Sequence, residues 1–77
     1  MNRHNVIVYT SNSCQECEKV LSCLDELGIT YTEKNISEDH EYRKELQKEK
    51  VYATPAVFYG KQVILGYQKQ KLIRALG

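Results

Sequence analysis

The 77-residue chain is long enough for one small domain, and a domain of that size buries only about 60% of its unfolded surface. Eleven Lys and Arg against ten Asp and Glu leave a net charge of +1, which argues against nucleic acid or an anionic membrane as the main partner. A hydrophobic fraction of 42% is too high for a disordered chain, and no apolar run approaches the roughly 18 residues of a membrane span.

Met1-Asn2-Arg3-His4-Asn5 leads into only Val6-Ile7-Val8-Tyr9, too short for a signal-peptide core. The expectation is a soluble, cytoplasmic, single domain over residues 1–77. Asn5 to Thr10 is β-branched and aromatic and suits a buried strand. After the polar turn Ser11-Asn12-Ser13, Ser13 and Glu16 form a capping-box pattern that starts a helix at about Cys14. Val20, Cys23, Leu24 and Leu27 recur at helical spacing with Leu21 beside them, and Gly28 supplies the stop.

Ile29 to Asn35 alternates apolar and polar residues and reads as a second strand. Ser37 is placed to cap a second helix through about Lys48, with Glu38 and Asp39 near its positive end. Only Tyr42 and Leu46 give that helix an apolar side, so it is expected at the periphery. Ala53-Thr54-Pro55-Ala56 opens a third strand, Ala56 to Tyr59; Gly60-Lys61 turns the chain, and Val63-Ile64-Leu65 returns as a fourth. Gly66 breaks that strand, and Leu72, Ile73 and Leu76 give a last helix one face to bury. The predicted order is β-α-β-α-β-β-α.

The three cysteines are Cys14, Cys17 and Cys23, an odd number with one C-x-x-C and no second pair to complete a structural zinc site. Redox chemistry or soft-metal binding remains. Cys14 stands where a strand ends and a helix begins, beside unpaired N–H groups and the positive end of the helix dipole. A thiolate there is stabilised, so Cys14 should be more acidic than the ~8.5 of a free cysteine. Cys17, one turn further in, should be less exposed and within reach of a mixed disulfide formed at Cys14, the two roles that dithiol exchange requires. Glu16 opposes thiolate formation, which predicts a modest lowering and a reducing protein rather than a strong oxidant. Cys23 reads as a small core residue. His4 and His40 read as surface residues, and the six scattered tyrosines as packing at the edge of the core. A proline at the entry of the third strand is, by sequence alone, an ordinary strand-start residue.

Val8-Tyr9-Thr10-Ser11-Asn12-Ser13-Cys14-Gln15-Glu16-Cys17, Ala53-Thr54-Pro55-Ala56-Val57-Phe58 and Gly66-Tyr67 together resemble the small glutaredoxin-like redoxins, the NrdH type among them. The resemblance covers nearly the whole chain. It implies the minimal thioredoxin fold, α/β, with a four-stranded mixed sheet flanked by helices. Cys14 then matches the family nucleophile and Cys17 the resolving cysteine. Pro55 matches a cis-proline opposite the dithiol, and Thr54 a residue whose backbone pairs with substrate as an added strand would. Gly66 and Tyr67 match the turn that contacts glutathione or a protein substrate.

The chain also departs from glutathione-using members. Ser11 stands where they carry Lys or Arg, the redox centre is Cys-Gln-Glu-Cys, and Leu65-Gly66-Tyr67-Gln68-Lys69 replaces a Gly-Gly-x-x-Asp. The implied function is a dithiol–disulfide oxidoreductase acting as a monomer with no bound cofactor. Reducing equivalents would come from thioredoxin reductase or from glutathione or another small thiol. Disulfide-containing proteins are the implied substrates, ribonucleotide reductase among the candidates.

Three other readings use the same cysteines. Copper chaperones carry a C-x-x-C after their first strand, where thiolates suit Cu(I), but in a β-α-β-β-α-β order. An iron–sulfur carrier would bridge two copies through Cys14 and glutathione. Arsenate-reductase-like regulators share the opening Tyr-Thr-Ser-x-Ser-Cys-x-x-Cys but are substantially longer chains.

Overall fold

The computed structural model describes residues 6–77. His4, and Asn5 at the predicted start of the first strand, lie outside the described residues. The elements are β1 (Val6–Thr10), α1 (Gln15–Glu26), β2 (Tyr31–Asn35), α2 (His40–Lys48), β3 (Ala56–Tyr59), β4 (Gln62–Leu65) and α3 (Lys69–Leu76), in the expected order. They build one mixed sheet in the order β2-β1-β3-β4, with β1 parallel to β2 and the other pairs antiparallel. This is the minimal thioredoxin fold. Among the described residues no helix is long and apolar enough to cross a membrane.

Strand alternation divides the core between the two faces of the sheet. Val6 and Val8 of β1, Val57 of β3 and Ile64 of β4 face one side, where Val20, Cys23 and Leu24 of α1 and Leu72 of α3 cover them. Tyr9 and Ala56 face the other side and pack with Ile36, Leu46 of α2 and Val51. α2 contributes one buried residue, Leu46, with Tyr42 half-buried beside it, so it is the peripheral helix its composition predicts. Cys23 is buried in the core, as expected, and His40 is exposed. Tyr9, Tyr31, Tyr42, Tyr59 and Tyr67 pack in or against the core, whereas Tyr52 is 75% exposed and does not.

Several element boundaries differ from the predicted ones, and at the starts of β2 and α2 a local hydrogen bond competes with the pattern. β2 starts at Tyr31 rather than Ile29. The Ile29 N–H donates to the Leu24 carbonyl and the Gly28 N–H to that of Asp25, the paired bonds of a Schellman cap around Gly28 at φ +72°. With its N–H spent on the helix, Ile29 has no donor for the sheet. Ser37 does not cap α2; Asp39 does, its Oδ1 accepting from the Glu41 N–H at 2.8 Å. Asn35 Oδ1 takes the N–H groups of Ser37 and Glu38 in a local turn that delays the helix. Gln62 extends β4 by one residue because it pairs with Tyr59 across the Gly60-Lys61 turn.

Candidate functional site

The predicted capping box does not form. Ser13 sits at φ 56°, and Cys14 itself is the N-cap of α1. Its Sγ accepts a hydrogen bond from the Cys17 N–H at 3.1 Å, as a serine hydroxyl would at that position. The sulfur is thus fixed at the positive end of the helix by the first-turn amide it satisfies. The loop ahead of it is latched from the far side: Asn12 N–H donates to Ser37 Oγ at 3.0 Å, and Asn35 Nδ2 donates to Asn12 Oδ1. Ser37 therefore holds the approach to Cys14 instead of starting α2.

Cys14 and Cys17 form a disulfide, with Cα atoms 5.2 Å apart. The two sulfurs are unequally placed. Cys14 is half-buried and Cys17 is 3% exposed, within the buried face of α1. This is the asymmetry predicted for an approachable thiol and a shielded partner.

The segment before β3 lies against this pair. The Thr54–Pro55 peptide is cis, which the resemblance implies and the sequence alone does not. Thr54 Oγ1 is 4.0 Å from Cys14 Sγ and 2.7 Å from Ser11 Oγ. Among the described residues the backbone N–H and C=O of Thr54 have no hydrogen-bond partner, so they present a short free edge beside the disulfide. Pro55 is buried, and its carbonyl accepts the Gly66 N–H at 2.8 Å. That bond continues the pairing of Ala56 with Leu65 and brings the turn after β4 to the site.

Gly66 has φ +75°, and a Cβ there would stand 3.4 Å from Glu16 Oε1. The next amide, Tyr67 N–H, donates to that same Glu16 oxygen at 3.2 Å. All six residues singled out from sequence, Cys14, Cys17, Thr54, Pro55, Gly66 and Tyr67, are therefore brought to one end of the sheet. Two others belong with them. Glu16 ties α1 to the Tyr67 turn, and Ser11, noted in the sequence only for lacking a positive charge, contributes a hydroxyl. The signal for Ser11 was its place three residues before Cys14; its partner, 43 positions away, had none. Among the described residues no group of three or more His, Cys, Asp or Glu side chains is arranged to hold a metal ion.

A disulfide-forming C-x-x-C at the N-terminus of α1, facing a cis-proline segment of a thioredoxin fold, defines a dithiol–disulfide oxidoreductase. The Glutaredoxin family profile matches residues 6–64, and the chain belongs to that family. No curated protein matches the chain. Among solved structures, it is similar to the thioredoxin-like protein BC3987, at 30% identity and TM-score 0.88, covering 94% of this chain and 100% of that one. It is also similar to a glutaredoxin from Archaeoglobus fulgidus, at 26% identity and TM-score 0.78, covering 95% of this chain and 86% of that one. The NrdH-redoxin of Escherichia coli shares the fold at 19% identity and TM-score 0.84, over 95% and 96% of the two chains.

Proposed function

We propose that the chain is a monomeric, cytoplasmic, single-domain redoxin that reduces disulfides of proteins or small molecules, with Cys14 as the attacking thiol and Cys17 as the resolving one. The observation that carries this assignment is the unequal exposure of the two bonded sulfurs: a substrate disulfide can approach Cys14, while Cys17 is enclosed. The Cys14 thiolate attacks one sulfur of the substrate disulfide, forming a mixed disulfide and releasing the other as a thiolate, which takes up a proton. Cys17 then loses its proton and attacks Cys14 Sγ. The Cys14–Cys17 disulfide forms, the second substrate sulfur leaves and is protonated, and two electrons have passed to substrate. An external dithiol, or two equivalents of a small thiol, reverses the change on the protein.

Thr54 offers its unpaired backbone to an extended substrate segment, and Pro55, buried and bonded through its carbonyl to the Gly66 N–H, holds the Thr54 segment against the turn after β4. Gly66 and Tyr67 border the same approach. Protein disulfides, with that of ribonucleotide reductase as one candidate, suit the free Thr54 edge. Thioredoxin reductase, and glutathione or another small thiol, are the candidate sources of electrons. The reducing cytoplasm suits an odd cysteine set with one exchangeable pair.

The test is a redox titration against graded dithiol/disulfide buffers, read by alkylation and intact mass. The expected result is one two-electron transition at Cys14 and Cys17 between about −180 and −270 mV. A Cys17→Ser chain should accumulate one mixed disulfide per molecule at Cys14, and a Cys14→Ser chain none. Absence of a reversible disulfide would overturn the proposal in favour of a metal carrier using the same cysteines.

A further inference from the structure

The two hydroxyls beside Cys14 are not needed to hold the backbone. Thr54 Oγ1 and Ser11 Oγ are 2.7 Å apart, come from segments 43 residues apart in sequence, and are both only partly buried. Among the described residues Ser11 Oγ has Thr54 as its sole hydrogen-bond partner, and Thr54 Oγ1 has only Ser11 and the sulfur of Cys14, at 4.0 Å. Each hydroxyl has one proton to give. The direction of the pair is open while Cys14 is in a disulfide, whose sulfur is a weak acceptor.

We propose that Ser11 and Thr54 form a hydroxyl relay that stabilises the Cys14 thiolate, so that both are positioning residues for the exchange reaction. The proposal rests on the reading of Cys14 as the attacking thiol. When Cys14 carries negative charge, Thr54 Oγ–H turns its proton to the sulfur, and Ser11 Oγ–H turns its own to the oxygen that Thr54 has left unopposed. No proton is transferred; the two hydrogen bonds strengthen as charge gathers on the sulfur, because hydrogen bonds to an ionised acceptor are stronger than neutral ones. The thiolate then has two donors, the Cys17 N–H and the Thr54 hydroxyl, approaching from different elements. The relay acts in both directions of the reaction. It favours the thiolate that attacks a substrate and the thiolate that leaves when a reductant opens the disulfide. It also supplies, from two neutral groups, part of what a nearby positive charge would otherwise provide.

The test is the pH dependence of Cys14 alkylation in the reduced full-length chain, read by intact mass, for the wild type and four variants. Thr54→Val keeps the shape and removes the donor, and should raise the titration midpoint of Cys14 by about one pH unit. Ser11→Ala, one step further away, should raise it by about half a unit. Thr54→Ser should restore the wild-type midpoint, which a purely steric role of the threonine methyl would not permit. In a Ser11→Ala, Thr54→Val chain the serine replacement should add nothing, because the relay is already cut. Midpoints unmoved by either single replacement, or a Ser11→Ala shift that persists at full size in the double variant, would overturn the relay. The redox titration of the wild type separates the two readings. No reversible Cys14–Cys17 disulfide overturns the dithiol assignment and the relay with it, whereas a reversible disulfide with unmoved alkylation midpoints overturns the relay alone.

Discussion

Glu16 shows how one side chain can take two different parts. By spacing it belongs to a capping box with Ser13, in which its carboxylate would turn back to its own helix. In the fold Cys14 occupies the cap, and the carboxylate reaches across to the Tyr67 N–H instead. The consequence is an anionic group anchored at the mouth of the site, one residue from the buried sulfur. It should slow the approach of negatively charged thiols and disulfides. Glu16→Gln keeps an oxygen acceptor for Tyr67 and removes the charge. We expect oxidised Glu16→Gln to react about 2–5-fold faster with glutathione, with little change towards the cationic thiol cysteamine. Stopped-flow rates at low and high salt check this: the difference should shrink as salt screens the carboxylate, and an equal gain for both thiols would refute it.

At the scale of elements, α2 is held to the sheet by little more than Leu46 and one polar cluster. Tyr9 of β1 donates its phenol proton to Glu45 at 3.0 Å, and Lys34 of β2 reaches the same carboxylate oxygen at 2.8 Å. The Lys34 ammonium also lies over the rings of Tyr9 and Tyr42, at 5.8 and 5.4 Å from their centroids. Burial, then the hydrogen bond to Glu45 and the charge of that carboxylate, push the Tyr9 phenol up to about 12 from 10.0. The hydrogen bonds from Lys34 and Tyr9 hold Glu45 below its ordinary 4.5, against a smaller opposing effect of desolvation.

The two groups limit stability at opposite ends of the pH range. The lowered Glu45 stabilises the fold above the ordinary carboxylate range, and that contribution is lost as pH falls through its depressed value. The raised Tyr9 contributes fully below pH 10.0, and its contribution is lost as pH climbs towards about 12. Ultraviolet titration should show a last phenol ionising near 12 that is absent in Tyr9→Phe, while Tyr31, raised by burial and then by Asp25, remains later than the ordinary tyrosines. Thermal melts of Glu45→Gln should be flatter than wild type on the acid side. A phenol still titrating near 12 in Tyr9→Phe would refute the assignment.

At the scale of the whole molecule, the three cysteines are separated into two environments by the packing of α1. Cys14 caps the helix and is half-buried; Cys17 and Cys23 sit on the inward face, at 3% and 5% exposure. Cys23 lines a groove along α1 with Lys19, Ser22 and Tyr67, yet its own surface is almost wholly covered. In the reduced native protein we expect iodoacetamide to label Cys14 first, and Cys23 only at the rate of global unfolding. Cys23→Ala should leave the redox midpoint unchanged. Native-state labelling followed by peptide mass mapping checks both; rapid native labelling of Cys23 would show that this face opens.

Much of this protein was legible in the order of its residues. Apolar runs and apolar periodicity, punctuated by cap and turn residues, located all seven elements, because burial of a strand or of one helix face leaves a local pattern along the chain. The C-x-x-C after a β-branched run placed both sulfurs at a helix start, and with it their unequal exposure. What could not be read locally was settled by partners distant in sequence. Ser37 turned from a cap into a latch for Asn12, and Glu16 from a cap into a clasp for Tyr67. Ser11 and Thr54 were joined, and the Thr54–Pro55 peptide was set cis beside the disulfide. A short polar side chain has several hydrogen-bond choices of similar energy, and sequence spacing offers only the local ones. Tertiary packing decides among them, by bringing the ends of β1 and β4 and the entry of β3 to one end of the sheet.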